Sequence, residues 1–241
     1  MATMNPTRTT PGPAGARLPV PPRTARNARS EQAEHTRARI LATAERLFAE
    51  HGVFSVSNRQ ISEAAGQGNN TAVGYHFGTK ADLVRALVRR HDEGMEELRR
   101  RLYAHHDGST EVRDWVTCVV RPFTEHLISL GTPSWYARFA AQLMTEPKLR
   151  ELAAEQMRHA HTLHAVIEAL HGCLPSLSPQ VRAERNEMAH TLIVHMCAQR
   201  ERTLPDDRES AAALWNATAT GLIDAIEGLM RAPVSGRDRP R

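Results

Sequence analysis

Residues 52–83 leave the backbone few choices. Ser57 and Gln60 stand three apart, the spacing at which a hydroxyl and a side-chain amide satisfy the exposed N–H groups at a helix start. Ile61, Ala64 and Ala65 then put small apolar groups on one face at helical spacing. Gly66 and Gly68 end that helix, because glycine accepts the left-handed backbone that a helix C-terminus favours. Asn69 or Asn70 caps a second short helix whose inward face is Val73 and Phe77. Gly78 turns the chain once more, and Thr79 with Asp82 opens a long third helix. Small alanines on the first short helix let the second cross it closely. The pattern predicts a helix-turn-helix, whose second helix would enter the DNA major groove.

The same residues carry a family resemblance. Gly52, Ser57, Ile61, Ala64-Ala65-Gly66, Tyr75-His76-Phe77, Lys80 and Leu83 resemble the signature of the TetR-type repressors, and Thr36 to His51 resembles that family's first helix. About fifty residues agree in order and spacing. One extra residue lies between Gly66 and Tyr75, so Gly74 stands where the family usually has a phosphate-contacting tyrosine. The resemblance implies a DNA-binding, dimeric regulator with a small-molecule site in its second domain.

Charge is unevenly placed. Residues 1–84 hold 10 Lys and Arg against 6 Asp and Glu, whereas the rest holds 21 of each, so the net charge of +4 lies in the first third. A basic N-terminal third suits phosphate attraction. The 241 residues suffice for a small module and one larger domain with its own core. Cys118, Cys173 and Cys197 are odd in number and far apart, as small buried groups in a reducing cytoplasm would be. No apolar run approaches the roughly 18 residues of a membrane span, and the N-terminus lacks the apolar core of a signal peptide.

Taken in order, residues 1–34 are rich in Pro, Thr, Ala, Gly and Arg and are expected to form a disordered basic tail. Arg17, Arg23, Arg26 and Arg29 there either follow DNA or belong to a tail without contacts. Ile40, Leu41, Ala44, Leu47 and Phe48 make a helical stripe from Thr36 to His51, and residues 35–83 form the predicted DNA-binding module. The helix opened by Thr79 carries Leu83, Leu87 and Met95 or Leu98 to about Ala104.

Residues 84–232 read as a helical regulatory and dimerisation bundle, and 233–241 as a frayed tail. Ser109 or Thr110 starts one helix, kinked at Pro122; Thr132 with Pro133 starts another. A further helix runs from Pro147 to about Gly172. Ser178 with Pro179 and Asp206 with Glu209 start the last two. Those two are apolar on more than one face, whereas a single core needs one stripe of about 100°. Met188, Leu192, Met196, Trp215, Leu222 and Ile226 are therefore the predicted seam of a homodimer, which the resemblance also implies; deep burial within one chain is the competing reading.

His159, His161, His164 and His171 cluster in sequence without a converging carboxylate or cysteine, so no metal site is expected. There is no phosphate loop, nucleophile elbow or informative carboxylate pair, so neither an enzyme nor a cofactor is expected. The fold expected is all-α: a three-helix helix-turn-helix domain followed by a helical bundle. The function expected is a cytoplasmic, sequence-specific repressor of an inverted-repeat operator, released by a hydrophobic or aromatic ligand. Ser57, Arg59 and Lys80 would hold phosphates, and Asn69 would help cap the second helix. Asn70, Thr71, Ala72, Tyr75 and His76 would face base edges or the adjacent backbone, since asparagine can pair with adenine and Thr71 or Ala72 can touch a thymine methyl. Trp115, Phe123, Trp135, Tyr136, Phe139, Met144 and Met157 read either as ordinary core or as the lining of a ligand cavity. The alternative is a helical ligand-binding or scaffold protein whose helix-turn-helix no longer engages DNA.

Overall fold

Ten helices follow one another among the described residues of a computed structural model, which are 23–68, 71–158 and 160–234, with side chains described except at 23–29, 156 and 157. They are α1 (Arg23–His51), α2 (Asn58–Ala64), α3 (Ala72–Phe77), α4 (Lys80–His105), α5 (Val112–Leu130), α6 (Tyr136–Thr145), α7 (Pro147–Met157), α8 (His161–Gly172), α9 (Pro179–Glu201) and α10 (Arg208–Arg231). α1 begins well before Thr36, so residues 23–34 are helical rather than disordered. Alanine, arginine, glutamate and glutamine there are good helix formers, and extending an existing helix needs no new nucleus. Arg23, Arg26 and Arg29 lie on that extension, and Arg17 falls outside the described residues.

Both capping boxes form as expected, Ser57 with Gln60 and Thr79 with Asp82. Gly66 is required by its φ of +65°, and a Cβ there would also displace the tip of the Arg39 side chain, which would lie 2.8 Å away. α3 starts from Thr71 as its N-cap, which moves the start beyond Asn69 and Asn70; both asparagines lie outside the described residues. Of the three apolar residues expected inside α2, Ile61 and Ala65 are buried, whereas Ala64 is exposed and Ser62 takes the inward place.

In the larger part α10 lies along α5, α6 along α9, and α4 along α5 and α8. Trp115, Val116, Val120 and Leu127 of α5 are buried, as their spacing demands. Several boundaries differ from those read in the sequence. Thr132–Pro133 is a cis peptide in a loop, and α6 starts three residues later. α10 is capped by Asp207, whose carboxylate accepts the Ser210 N–H at 2.7 Å. The single helix expected from Pro147 to Gly172 is two, α7 and α8. The second begins where Glu96 of α4 accepts the Thr162 N–H at 3.1 Å. Glu201 of α9 caps α6 in the same way, accepting the N–H groups of Ala137 and Arg138 at 3.1 and 2.9 Å.

The residues of the predicted seam differ in burial. Trp215, Leu222 and Ile226 are 1%, 4% and 1% exposed, so they belong to the core of one chain rather than to a free surface. Leu192 and Met196 are half-buried, and Met188 stands out at 53% exposure. Outward on α10 are Ala213, Ala217, Gly221 and Ala225, four residues apart.

Candidate functional site

The helix-turn-helix is tied together by three basic residues. Arg37 of α1 donates to the His76 carbonyl and lies 4.3 Å over the Phe77 ring. Arg39 donates to the Ala65 carbonyl at 2.6 Å. Both cations therefore sit on the last carbonyls of α2 and α3, where a helix presents unpaired acceptors and partial negative charge. Lys80, at the first turn of α4, donates to the carbonyls of Val53 and Val56 at 3.1 and 2.5 Å. It clips the α1–α2 turn to α4, and partial burial lowers its pKa.

On this frame α3 shows one face to solvent. Tyr75 is 84% exposed and Thr71 is exposed, whereas Ala72 is only 7% exposed and packs inward with Val73. Ala72 is therefore part of the module's core and not a base-facing residue, because α3 starts late enough to turn it inward. His76 is half-buried, and its ring lies edge-on to Tyr75 at 5.0 Å. Burial, then the nearby Arg37, lowers the His76 pKa, which favours the neutral imidazole. Gly74 is exposed, and a Cβ there would meet nothing within 4 Å. The Ser57 hydroxyl caps α2, and Arg59 is exposed and paired to Glu63 at 2.7 Å.

A buried polar relay connects this module to the bundle. Glu45 of α1 accepts from His91 of α4 at 2.9 Å, and His91 meets His126 of α5 at 2.7 Å. His91 bridges the two through its ring nitrogens, Nε2 facing the Glu45 carboxylate and Nδ1 facing His126 Nε2, so the ring tautomers set which nitrogen donates between the histidines. Tyr136 of α6 stacks on His91 at 3.8 Å. Burial, then His91 and Arg90, lowers His126 to about 4. Gly94 makes room for that ring, since a Cβ there would stand 3.1 Å from His126 Nδ1. Neither the relay nor Lys80's carbonyl partners could be read from spacing, because each partner is distant in sequence.

A cavity of about 870 Å³ opens between α4, α5, α8, α9 and α10. Of the aromatic and sulfur residues expected to line it, Phe123 alone does so among those whose side chains are described. Trp115 is buried with its indole N–H on the Ser109 carbonyl at 3.0 Å. Trp135 lies under Arg138, Tyr136 on His91, and Phe139 against Phe48 of α1 at 6.0 Å. Met144 is half-buried against the core, and the Met157 side chain lies outside the described residues. Apart from Met157, these groups pack the helices together, as large apolar side chains most often do. The lining found instead is aliphatic on α8 and α10, mixed on α9, where Asn186, Glu187 and His190 join Ile193 and Val194, and mostly charged on α4. The second feature missing from the sequence reading is this charge. Among the described residues no group of three or more His, Cys, Asp or Glu side chains converges as a metal site would, and no helix is long and apolar enough to cross a membrane.

Comparison with known proteins agrees with this geometry. Residues 40–87 match the family model described as bacterial regulatory proteins, tetR family, and residues 117–228 match the tetracyclin repressor-like C-terminal domain. The transcriptional regulator TtgR of Pseudomonas putida is 43% identical over 58 residues, which is 24% of this chain and 27% of that protein's length. The transcriptional repressor AcnR of Corynebacterium glutamicum is 37% identical over 71 residues, 30% of this chain and 37% of its own. Native NalD, the secondary repressor of the MexAB-OprM multidrug efflux pump in Pseudomonas aeruginosa, superposes with a TM-score of 0.51 and 28% identity, over 80% of this chain and 96% of that one. With an exposed recognition-type helix on a tied three-helix module, a helical second domain, and models of the family matching both parts, the chain belongs to the TetR family of transcriptional regulators.

Proposed function

We propose that the chain is a homodimeric, sequence-specific DNA-binding repressor whose hold on an inverted-repeat operator is relieved by a hydrophobic small molecule in the cavity beside α4. One observation carries this reading. α4 is a single 26-residue helix, clipped to the helix-turn-helix through Lys80 at one end and forming a wall of the cavity from Arg89 onward. Filling the cavity would displace the same rigid element that positions α3, and so change the separation of two recognition helices in a dimer.

In this reading α3 lies in the major groove with Thr71 and Tyr75 outward, preceded by Asn69 and Asn70. Arg59 supports the phosphate backbone, with Ser57 as the cap of its helix, and His76 flanks the groove. The outward residues of α9 and α10 form the two-fold seam. Relief requires the ligand to prefer the non-binding state, with a coupling of about 1–3 kcal/mol, or roughly 5- to 150-fold in operator affinity.

Fluorescence anisotropy on DNA fragments selected by the purified protein tests this reading. Salt-dependent binding to a two-fold symmetric site is expected, weakened by apolar compounds that raise the melting temperature. Compounds that stabilise the protein yet leave operator affinity unchanged would remove the switch. Failure to select any DNA would favour a ligand-binding protein without an operator.

A further inference from the structure

The charges on the α4 wall restrict what the cavity can hold. Five acidic and three basic side chains line it. Several are already paired. Arg99 donates through Nη1 to Glu96 at 2.6 Å, the other Glu96 oxygen accepts the Thr162 N–H, and Arg100 pairs with Glu97. Asp92, half-buried in the same wall, has no hydrogen bond or ion pair among the described residues. Opposite it stand aliphatic groups such as Ile167, Leu170, Ile193 and Met230.

A carboxylate held partly out of water without a partner is costly, and a cation brought to it recovers that cost. An anion would meet a wall with an excess of acids. Its one deeply placed base, Arg99, is held by Glu96, and the unpartnered Arg99 Nε is closed to solvent. We infer, on the reading of the cavity as the effector site, that its preferred occupant is a hydrophobic organic cation with the Asp92 carboxylate as counter-charge and the aliphatic wall around its apolar body. Burial holds the Asp92 carboxyl up at about 6 despite Arg99, as expected of an acid that lacks a full partner.

Three compounds that share one apolar body test the assignment: 4-phenylbutylamine, 4-phenylbutanol and 4-phenylbutyrate, titrated calorimetrically into the full chain at pH 7.5. The ammonium should bind about tenfold more tightly than the alcohol, and the carboxylate most weakly. Asp92→Asn should abolish the ammonium's advantage while the alcohol binds within about twofold of its original affinity, and Asp92→Glu should restore part of the preference. The retained alcohol affinity shows that the variant is folded. An alcohol that binds as tightly as the ammonium, or a preference that survives Asp92→Asn, overturns the cation assignment alone. Tightest binding of the carboxylate overturns it in favour of Arg99. If none of the three binds, or if Ile193→Trp, which fills the cavity, leaves all three affinities unchanged, the effector reading of the cavity falls as well.

Discussion

Lys80 shows how one side chain can look like a phosphate contact and also serve the fold. Its ammonium has three donors, and two already point at the Val53 and Val56 carbonyls. Lys80→Ala should therefore cost about 1.5–2 kcal/mol in stability, the lower part of the range for hydrogen bonds to a charged group because the site is only half-buried. DNA binding should weaken on all sequences through loosening of the α1–α2 turn, with the salt slope falling by less than one unit. Denaturant melts and binding isotherms over a salt series check both. A full unit lost from the slope with stability unchanged would make Lys80 a phosphate ligand and not a clip. Gly74 offers a second test. It lies inside α3 with no positive φ and open space where a Cβ would go. Gly74→Ala should stabilise the module by about 0.5–1 kcal/mol, measured as an upward shift of the unfolding midpoint; a downward shift would contradict the helical backbone at this position.

α4 collects the connections of the molecule, with the Glu45–His91–His126 relay on one face and Asp92 in the cavity wall. His126 and Asp92 respond to acid in opposite senses. His126 has its folded pKa lowered to about 4, so its contribution is intact above about 6.5 and is lost as pH falls toward 4. Asp92 is raised to about 6, so it penalises the fold at neutral pH, and the penalty disappears as pH falls from 6 toward 3.8. Each effect is on the order of 1–3 kcal/mol, and between pH 6 and 4 they largely cancel. Asp92→Asn should uncover the histidine, giving a protein more stable at pH 7 that loses stability steeply on acidification. Urea melts at pH 7, 5.5 and 4.5 read this out, and a flat profile in the variant would remove His126 as the acid-sensitive group. None of these partnerships was legible in the sequence, whereas the two capping boxes, the turn at Gly66 and the Ser178–Pro179 start were. Capping boxes and glycine turns are local, so their partners lie within four residues. Glu96 on α8 and Glu201 on α6 cap across the fold, and so the break between α7 and α8 could not be seen. The aromatic residues misplaced the cavity for a related reason: composition reveals apolar bulk but not which helices enclose a void.

At the scale of the assembled molecule, the dimer seam gives the sharpest test. The apolar surplus of α9 and α10 was legible as more than one stripe, but part of it serves α10's packing along α5. Charged substitutions at Leu222 or Ile226, 4% and 1% exposed, should now unfold the chain and report nothing about pairing. The outward residues are the proper probes. Ala213, Ala217, Gly221 and Ala225 are exposed at four-residue intervals, and a Cβ at Gly221 would meet nothing within 4 Å of the same chain. With the seam on this face, small side chains would let two helices approach closely across a two-fold axis, and the exposed Met188 of α9 would add an apolar contact. Ala217→Arg with Gly221→Arg introduces two charges per chain, four at a symmetric seam, where like charges meet and lose water. The monomer should keep its fold, since arginine is a better helix former than glycine by several tenths of a kcal/mol. Sedimentation should then show a monomer with a normal helical spectrum. Its affinity for a full operator, with half-sites about one helical turn apart or a multiple, should fall to that for a single half-site. A folded double variant that still sediments as a dimer would put the seam on another face.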